Sequence, residues 1–266
     1  MQQSRILCWE DTYQKCKNLP TKEKSTKIHY VENFDVHTNK KHLTSDVFFY
    51  NMDTIDCALH FDNPLVLNLA SNYHPGGGVA RGSGAQEESL FRRSNYFKTL
   101  TKNFYPINDN EAIYSPKVSV IKKDENDNWL PYLHPVKLDF IACPGIRYPK
   151  TIIKNNETKL HYVDVRRLKN KIETIIQCAI QYNHDTIIFG ALGCGVWNNP
   201  PYHVAEIFKN ILTKYDGVIK NYVFAILGTY NDNTNFYKTT TKPDNNVDVF
   251  IKIFDKSKVD TFPSEL

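Results

Sequence analysis

Two adjacent carboxylates, Glu87 and Glu88, are the side chains best placed for chemistry, because they follow a loop rich in glycine. The loop at residues 71–85 contains five glycines, which are Gly76, Gly77, Gly78, Gly82 and Gly84. Glycines allow a ligand to approach the backbone closely, and amides at the start of a helix suit phosphates. Adjacent residues on a helix point about 100° apart, so the two carboxylates are not expected to flank one bond. We expect at most one to be a proton donor or base, and the other to bind or orient the substrate.

The glutamate pair also has a purely structural interpretation. Acidic residues are common near helix N-termini, where they complement the helix dipole. Glu88 and Arg92 are four residues apart, which is the spacing of an ordinary surface ion pair on a helix. The pair alone therefore does not decide between catalysis and helix stabilisation.

The elements that must position the glutamates are a strand and a helix. Residues 64–70 are too apolar for a strand with a solvated face, so we predict a buried strand there. Residues 86–100 predict a helix, with Leu90, Phe91 and Phe97 near one stripe. Ser83 and Gln86 have the spacing of a capping box, which would start the helix near residue 84.

A second glycine loop, Gly193-Cys194-Gly195, lies between a predicted buried strand at 186–191 and a predicted helix from Pro200 and Pro201 to Lys214. Its spacing does not fit a dinucleotide-binding GxGxxG, because Asn198 stands at the third glycine position. The chain also lacks a Gly-Lys-Ser/Thr sequence, which excludes a P-loop. Taken alone, the segment reads as a tight turn between strand and helix.

The other predicted elements indicate an α/β fold. Further strands are predicted at residues 27–31, 47–50, 112–120, 137–142 and 221–227. Helices are predicted at 4–18 and 164–182, with a helical turn or two at 53–61 and a charged surface loop at 122–128. Strand, glycine loop and helix occur in this order twice, which favours a three-layer α/β/α domain. The tail after about residue 244 is expected to be loosely ordered.

Composition excludes several classes of protein. The 266 residues are 41% hydrophobic and 23% charged, which is ordinary globular usage and argues against disorder or a coiled coil. The net charge of +4 permits an anionic substrate without requiring one. Six cysteines form no CxxC pair and no zinc-site spacing, so we expect no metal site and no disulfide scaffold. We see no signal peptide and no apolar run long enough for a bilayer, and expect a soluble intracellular monomer, cytoplasmic or nuclear, without membrane contact.

The string from Asn68 to Ser94 resembles the signature of the poly(ADP-ribose) glycohydrolases of the microbial type, whose catalytic domain is a macrodomain. The signature is a triple glycine, a short spacer (here residues 79–85) and Gln-Glu-Glu. Mono-ADP-ribose macrodomain hydrolases are less similar, because Ser71 stands where they carry an asparagine. The resemblance covers residues 66–201 well and residues 5–35 weakly. It implies a macrodomain-like α/β/α fold with a mixed central sheet: a helical extension at 1–45, a catalytic core at 46–240 and a tail at 241–266.

The resemblance implies a role for each residue of the first loop. Glu88 would protonate the leaving oxygen of the ribose–ribose bond and then deprotonate the attacking water. Glu87 would hold the ribose hydroxyls. The triple glycine Gly76–Gly78 would line the bound ribose and diphosphate, with Asn68 at the root of the loop and Gln86 fixing it.

The second loop would bind the diphosphate through its successive amides. Its expected members are Gly193, Cys194, Gly195, Val196 and Trp197. The Trp197 ring would pack on the distal ribose; otherwise it is a core aromatic at the base of the loop. Cys194 is interpreted as a small loop residue, since no histidine partner is evident. Asp53 or Asp56 would contact the adenine amino group, unless both lie on the solvated surface.

The activity implied is hydrolysis of poly(ADP-ribose) to ADP-ribose, with the polymer or ADP-ribosylated proteins as substrate and ADP-ribose as the product ligand. The implied mechanism needs no metal and no redox cofactor, since the substrate diphosphate would hold the attacking water in place of a second carboxylate. Two alternatives stay open: a module that binds ADP-ribose without cleaving it, and a hydrolase of mono-ADP-ribosyl conjugates. The intact Gln86-Glu87-Glu88 argues against the first, since a binding module needs no acid.

Overall fold

The computed structural model describes residues 1–21, 23–228, 245–256 and 260–262. The strands are β1 (Thr26–His29), β2 (Asp46–Tyr50), β3 (Pro64–Leu69), β4 (Glu111–Lys122), β5 (Pro131–Cys143), β6 (Thr151–Lys154), β7 (Glu157–Leu160), β8 (Thr186–Phe189) and β9 (Asn221–Ala225). The helices are α1 (Gln2–Cys16), α2 (Thr54–Ala58), α3 (Gln86–Arg93), α4 (Tyr162–Gln181), α5 (Pro201–Lys214) and α6 (Asn246–Ile253). No helix within these ranges is long and apolar enough to cross a bilayer.

Seven strands form one mixed sheet in the order β1-β4-β5-β3-β8-β9-β2, and β6 and β7 form a separate hairpin. Strands β5, β3, β8, β9 and β2 run parallel, while β4 is antiparallel to β5 and β1 is antiparallel to β4. The carboxyl ends of β5, β3 and β8 therefore share one edge of the sheet with the beginning of β4. In open α/β sheets this edge is where ligands bind.

Helices cover both faces of the sheet, which confirms the predicted three-layer α/β/α fold with a mixed sheet. One apolar core lies between the sheet and α4, α5 and α6, and a second lies between the sheet and α2 and α3. Central strands β3 and β8 are buried on both sides, which explains their continuous apolar sequence. The periodic apolar residues of α4 from Leu168 to Ala179 are buried, as their spacing predicts.

Helix α3 begins at Gln86, as predicted, but its predicted end and its predicted capping box are wrong. The helix ends at Arg93 rather than near residue 100, because Ser94 is extended and forms a β-bridge with Val120. Ala85 occupies the N-cap position without a side-chain hydrogen bond, so the predicted capping box is not formed. The Gln86 side chain instead donates to and accepts from the backbone of β3.

Both terminal regions pack against the core. Helix α1 contacts α3, and Thr12 Oγ1 donates to the Arg92 carbonyl at 2.5 Å. Helix α6 buries Val247 and Phe250 against α5 and the sheet. The expectation of a loosely ordered tail is therefore wrong for residues 246–253, while residues 257–259 and 263–266 lie outside the described residues. The β6–β7 hairpin was not predicted, because its strands are mostly exposed and lack apolar alternation.

Candidate active site

The triple-glycine loop turns back over the first turn of α3. Gly76 and Gly77 have φ angles of +74° and +51°, a region that favours glycine. A Cβ atom on Gly76 would lie 2.5 Å from Phe91 Cδ1, and one on Gly77 would lie 2.6 Å from Glu88 Oε1. Only glycine therefore allows the backbone to pass this closely over the two glutamates.

Glu87 is held by three donors and is almost fully buried, with 3% of its surface exposed. Its Oε1 accepts from the Gly76 amide at 3.1 Å and from Asn68 Nδ2 at 3.4 Å, and its Oε2 accepts from the Ser71 amide at 2.8 Å. Asn68 is also fully buried, at the end of β3, as its predicted place at the root of the loop requires. These contacts fix the Glu87 carboxylate against the loop.

Burial, assisted by the charge of Glu88, raises the pKa of Glu87 to about 7, against the opposing effect of the hydrogen bonds from Ser71, Gly76 and Asn68. A carboxyl group whose pKa is raised by folding contributes to the free energy of unfolding at pH values below its unfolded pKa of 4.5. This contribution is lost as the pH rises from 4.5 to about 7. Glu87 therefore links the free energy of unfolding to pH in this window.

We expect Glu87→Gln to remove that linkage. As the pH rises from 5 to 8, wild-type protein should lose free energy of unfolding relative to the variant, with a slope of at most about 1.4 kcal/mol per pH unit for one proton. Denaturant unfolding at several pH values measures the difference. Glu10→Gln, at an exposed position of α1, is the matched control and should stay parallel to wild type. A constant difference between wild type and Glu87→Gln would contradict the raised pKa.

Glu88 is also buried but keeps one oxygen free. Its Oε1 accepts from the Gly78 amide at 2.8 Å, while the buried Oε2 has no hydrogen-bond partner among the described residues. The alternative of a surface ion pair with Arg92 is wrong, because Arg92 is buried and its Nη1 donates to the Ser83 carbonyl at 2.6 Å. Both carboxylates lie against the same loop, since a Cβ on Gly77 would be 2.6 Å from Glu88 Oε1 and 3.2 Å from Glu87 Oε2.

Gln86 ties α3 to its neighbours. Its Oε1 accepts from the Leu69 amide at 2.9 Å, and its Nε2 donates to the Leu67 carbonyl at 2.7 Å and to Thr54 Oγ1 at 3.1 Å. These bonds join the helix start to the end of β3 and the beginning of α2. The polar atoms of Gln86 are thus engaged by β3 and α2, and its role in fixing the glycine loop stays a prediction.

The second glycine loop follows β8, the neighbour of β3. Gly193 has a φ of +80°, and a Cβ there would lie 2.5 Å from Asn199 Nδ2. Asn199 Nδ2 donates to the carbonyls of Ile146 at 2.7 Å and Gly193 at 2.9 Å, which joins this loop to the loop after β5. Gly195 and Val196 are exposed at the tip. Cys194 is buried, and burial raises the pKa of its thiol, which agrees with a loop residue rather than a nucleophile.

Trp197 is half-buried at the base of this loop, so it is not a fully buried core aromatic. A Cβ on Gly145 would lie 3.2 Å from Trp197 Cε3 and 2.8 Å from Gly193 Cα. The loop after β5 thus packs directly on the second glycine loop. Sequence reasoning missed Gly145 and Asn199, although a glycine three residues after the predicted strand at 137–142 was an available signal.

The two upstream aspartates bind an arginine. Arg93 is buried and donates from Nη1 to Asp53 at 2.6 Å and from Nη2 to Asp56 at 2.5 Å. Asp53 also accepts from the amides of Ile55 and Asp56 as the N-cap of α2. The alternative that the aspartates lie on the solvated surface is therefore wrong for Asp53, while the Asp56 side chain is about one-third exposed. An adenine contact by either stays a prediction.

Within the described ranges, no three His, Cys, Asp or Glu side chains are grouped so that they could hold a metal ion.

Comparison with known proteins identifies the same family over part of the chain. Residues 7–123 match the family model described as the catalytic domain of microbial-type PARG. No curated protein matches the chain by sequence.

Solved structures of bacterial enzymes have the same fold. A poly(ADP-ribose) glycohydrolase from Thermomonospora curvata is 21% identical, with a TM-score of 0.73 over 95% of this chain and 100% of that chain. A poly(ADP-ribose) glycohydrolase from Deinococcus radiodurans in complex with ADP-ribose is 22% identical, with a TM-score of 0.67 over 83% of this chain and 88% of that chain. The predicted resemblance to the microbial-type PARG family is thus confirmed, by the family model over residues 7–123 and by the fold across most of the chain.

Proposed function

We propose that this protein hydrolyses the ribose–ribose O-glycosidic bonds of poly(ADP-ribose) and releases ADP-ribose. The observation that carries the proposal is the geometry of Glu88, whose carboxylate is fixed by the Gly78 amide through one oxygen and keeps the other buried and free. The match to the microbial-type PARG model and the shared fold with glycohydrolases solved with ADP-ribose support it.

In the proposed mechanism Glu88 acts first as acid and then as base. Its proton passes to the leaving ribose oxygen as the bond from the anomeric carbon to that oxygen breaks, which leaves an oxocarbenium-like sugar. The oxygen of a water then bonds to the anomeric carbon, and Glu88 takes a proton from that water. The reaction consumes one water and restores Glu88. The substrate diphosphate, bound at the second glycine loop, would hold the water.

Glu87 has a different task, because its two oxygens are already positioned by Ser71, Gly76 and Asn68. A carboxylate fixed in this way can accept hydrogen bonds from the ribose hydroxyls and set the orientation of the anomeric carbon. In this proposal Glu88 transfers the proton and Glu87 binds the substrate, and Gly77 packs against both carboxylates.

We also propose, from the sequence, a monomeric protein with a cytoplasmic or nuclear location. Its chain would divide into an extension at 1–45, a core at 46–240 and a tail at 241–266. Residues 229–240 of that core lie outside the described residues.

The direct test is incubation with automodified poly(ADP-ribosyl)ated protein in EDTA, with the products separated by size. Free ADP-ribose supports the proposal, and chelation should leave the rate unchanged. Intact polymer retained on the protein would indicate a binding module. Release of ADP-ribose only from mono-ADP-ribosylated protein would indicate the conjugate hydrolase.

We expect Trp197→Ala to reduce turnover more than ADP-ribose affinity, since a ring that orients the distal ribose matters most for the reacting bond. A misplaced bond costs on the order of 10²-fold in rate. A core tryptophan would instead cost about 3–5 kcal/mol of stability. The measurements are melting temperature, ADP-ribose affinity and turnover. Trp129→Ala, another half-buried tryptophan in the β4–β5 turn, is the control and should keep normal turnover. A large melting shift with normal turnover in Trp197→Ala would assign the ring to the core.

A further inference from the structure

A cavity of about 380 Å³ lies against the loop that holds the glutamates and is not used by the mechanism above. It is lined by Tyr73, His74, Lys102, Tyr105 and Pro106. Two segments form it: the loop after β3, just before the triple glycine, and the segment that leads into β4. The Ile107 amide donates to the Asn72 carbonyl at 3.1 Å and holds these segments together.

The cavity wall is bonded directly to the site. Ser71 holds Glu87 through its amide, and its hydroxyl accepts from the amides of Tyr73 at 3.2 Å and His74 at 3.3 Å. The His74 carbonyl accepts from the Gly77 amide at 3.1 Å. A molecule in the cavity therefore lies next to the loop that fixes both glutamates.

The lining groups suit a nucleoside that carries phosphate. The Tyr73 ring is 59% exposed and stacks on no other ring among the described residues, so one face is open to a base. Lys102 is exposed and supplies a cation for a phosphate. The buried Tyr105 hydroxyl has no hydrogen-bond partner within the described ranges. Burial and the nearby Glu87 charge raise the pKa of Tyr105, so its hydroxyl stays protonated and can donate.

One wall of this cavity, Tyr73 and His74, follows β3 itself, and strand order places the other wall on the opposite side of β3 from the second glycine loop. The glycine loop follows β8 on one side of β3, and the cavity segment precedes β4, beyond β5 on the other side. A substrate with its diphosphate at the glycine loop and its scissile bond at Glu88 would continue toward the cavity. In a polymer of ADP-ribose, the part of the substrate that extends toward the cavity is the neighbouring unit, which carries the leaving oxygen.

We infer that this cavity is the subsite for the leaving unit of the polymer, with its adenine on Tyr73 and its phosphates near Lys102. The inference rests on the proposed function. A base stacked on an aromatic side chain contributes about 1–3 kcal/mol by alanine substitution, which corresponds to roughly 5- to 150-fold in kcat/KM.

Two substrates that share the bound ADP-ribose and differ in the leaving group test the inference. One is poly(ADP-ribose); the other is ADP-ribose with 4-nitrophenol on the anomeric carbon of the distal ribose, which has no second unit. The full chain is compared with Tyr73→Ala, Lys102→Ala and Tyr105→Phe. Tyr162→Ala and Lys154→Ala, exposed on α4 and on β6, are the matched controls.

We expect Tyr73→Ala and Lys102→Ala to lower kcat/KM for the polymer about 10-fold or more, and Tyr105→Phe to lower it several-fold. The nitrophenyl substrate and the affinity for ADP-ribose should change less than about twofold in each. Equal losses on both substrates, or no loss on the polymer, would overturn the subsite. Wild-type protein that cleaves neither substrate would overturn the proposed function, and the subsite with it.

Discussion

Glu88→Gln is expected to keep the fold and ADP-ribose binding and to lose hydrolysis by at least about 10²-fold, the usual scale for a general acid. The substitution keeps the shape of the side chain and a carbonyl oxygen that can accept from Gly78. The buried Oε2, free in the described structure, becomes an amide nitrogen that cannot cycle a proton. The loss should therefore appear in kcat, with little change in binding.

The measurements are single-turnover hydrolysis of the polymer and calorimetric binding of ADP-ribose. Glu10→Gln, the same change on the exposed side of α1, controls for loss of a carboxylate as such and should have wild-type rates. Glu87→Gln should lose activity with a larger share of the loss in affinity, because Glu87 is assigned to the ribose hydroxyls. Near-normal turnover in Glu88→Gln would contradict the assignment of Glu88 as the general acid.

Burial pattern explains which elements were predictable from the sequence. β3 and β8 are continuous apolar runs because helices cover both their faces, and α4 has a clear three-to-four spacing because one of its faces is buried. The end of α3 was not predictable, because Ser94 leaves the helix to bridge Val120, a residue distant in sequence. Helix α6 was missed although Val247 and Phe250 are buried, since it is short and follows a polar stretch.

In the candidate site, too, local features were predictable and long-range contacts were not. The glutamates and both glycine loops were predictable because each is a local feature of the sequence. The partners of these residues are not local: Asn199 reaches Ile146 across 53 positions, and Tyr105 comes beside Glu87 through the pairing of two loops. The wrong surface ion pair of Glu88 with Arg92 has the same origin. Spacing on a helix does not reveal that α1 and the Ser83 carbonyl bury Arg92.

Gly77→Ala is expected to abolish most of the activity, by about 10²-fold or more, while the protein stays folded. An L-residue in the left-handed region costs about 1–2 kcal/mol. The new methyl group would lie 2.6 Å from Glu88 Oε1 and 3.2 Å from Glu87 Oε2, so both carboxylates must move. Displacing reacting groups by about 1 Å can cost 10²-fold in rate. Turnover should therefore fall much further than the loss of stability explains.

Gly217→Ala is the control that separates strain from catalysis. Gly217 has a φ of +77°, and a Cβ there would lie 2.5 Å from the His42 carbonyl oxygen, in the turn after α5 and away from the glutamates. Its substitution carries the same backbone strain and a clash with main chain, so it should lower the melting temperature at least as much. Turnover per folded molecule should stay normal in Gly217→Ala and fall about 10²-fold in Gly77→Ala. If both variants lost turnover only in proportion to folded protein, the close approach of Gly77 to the carboxylates would matter for folding and not for the chemistry.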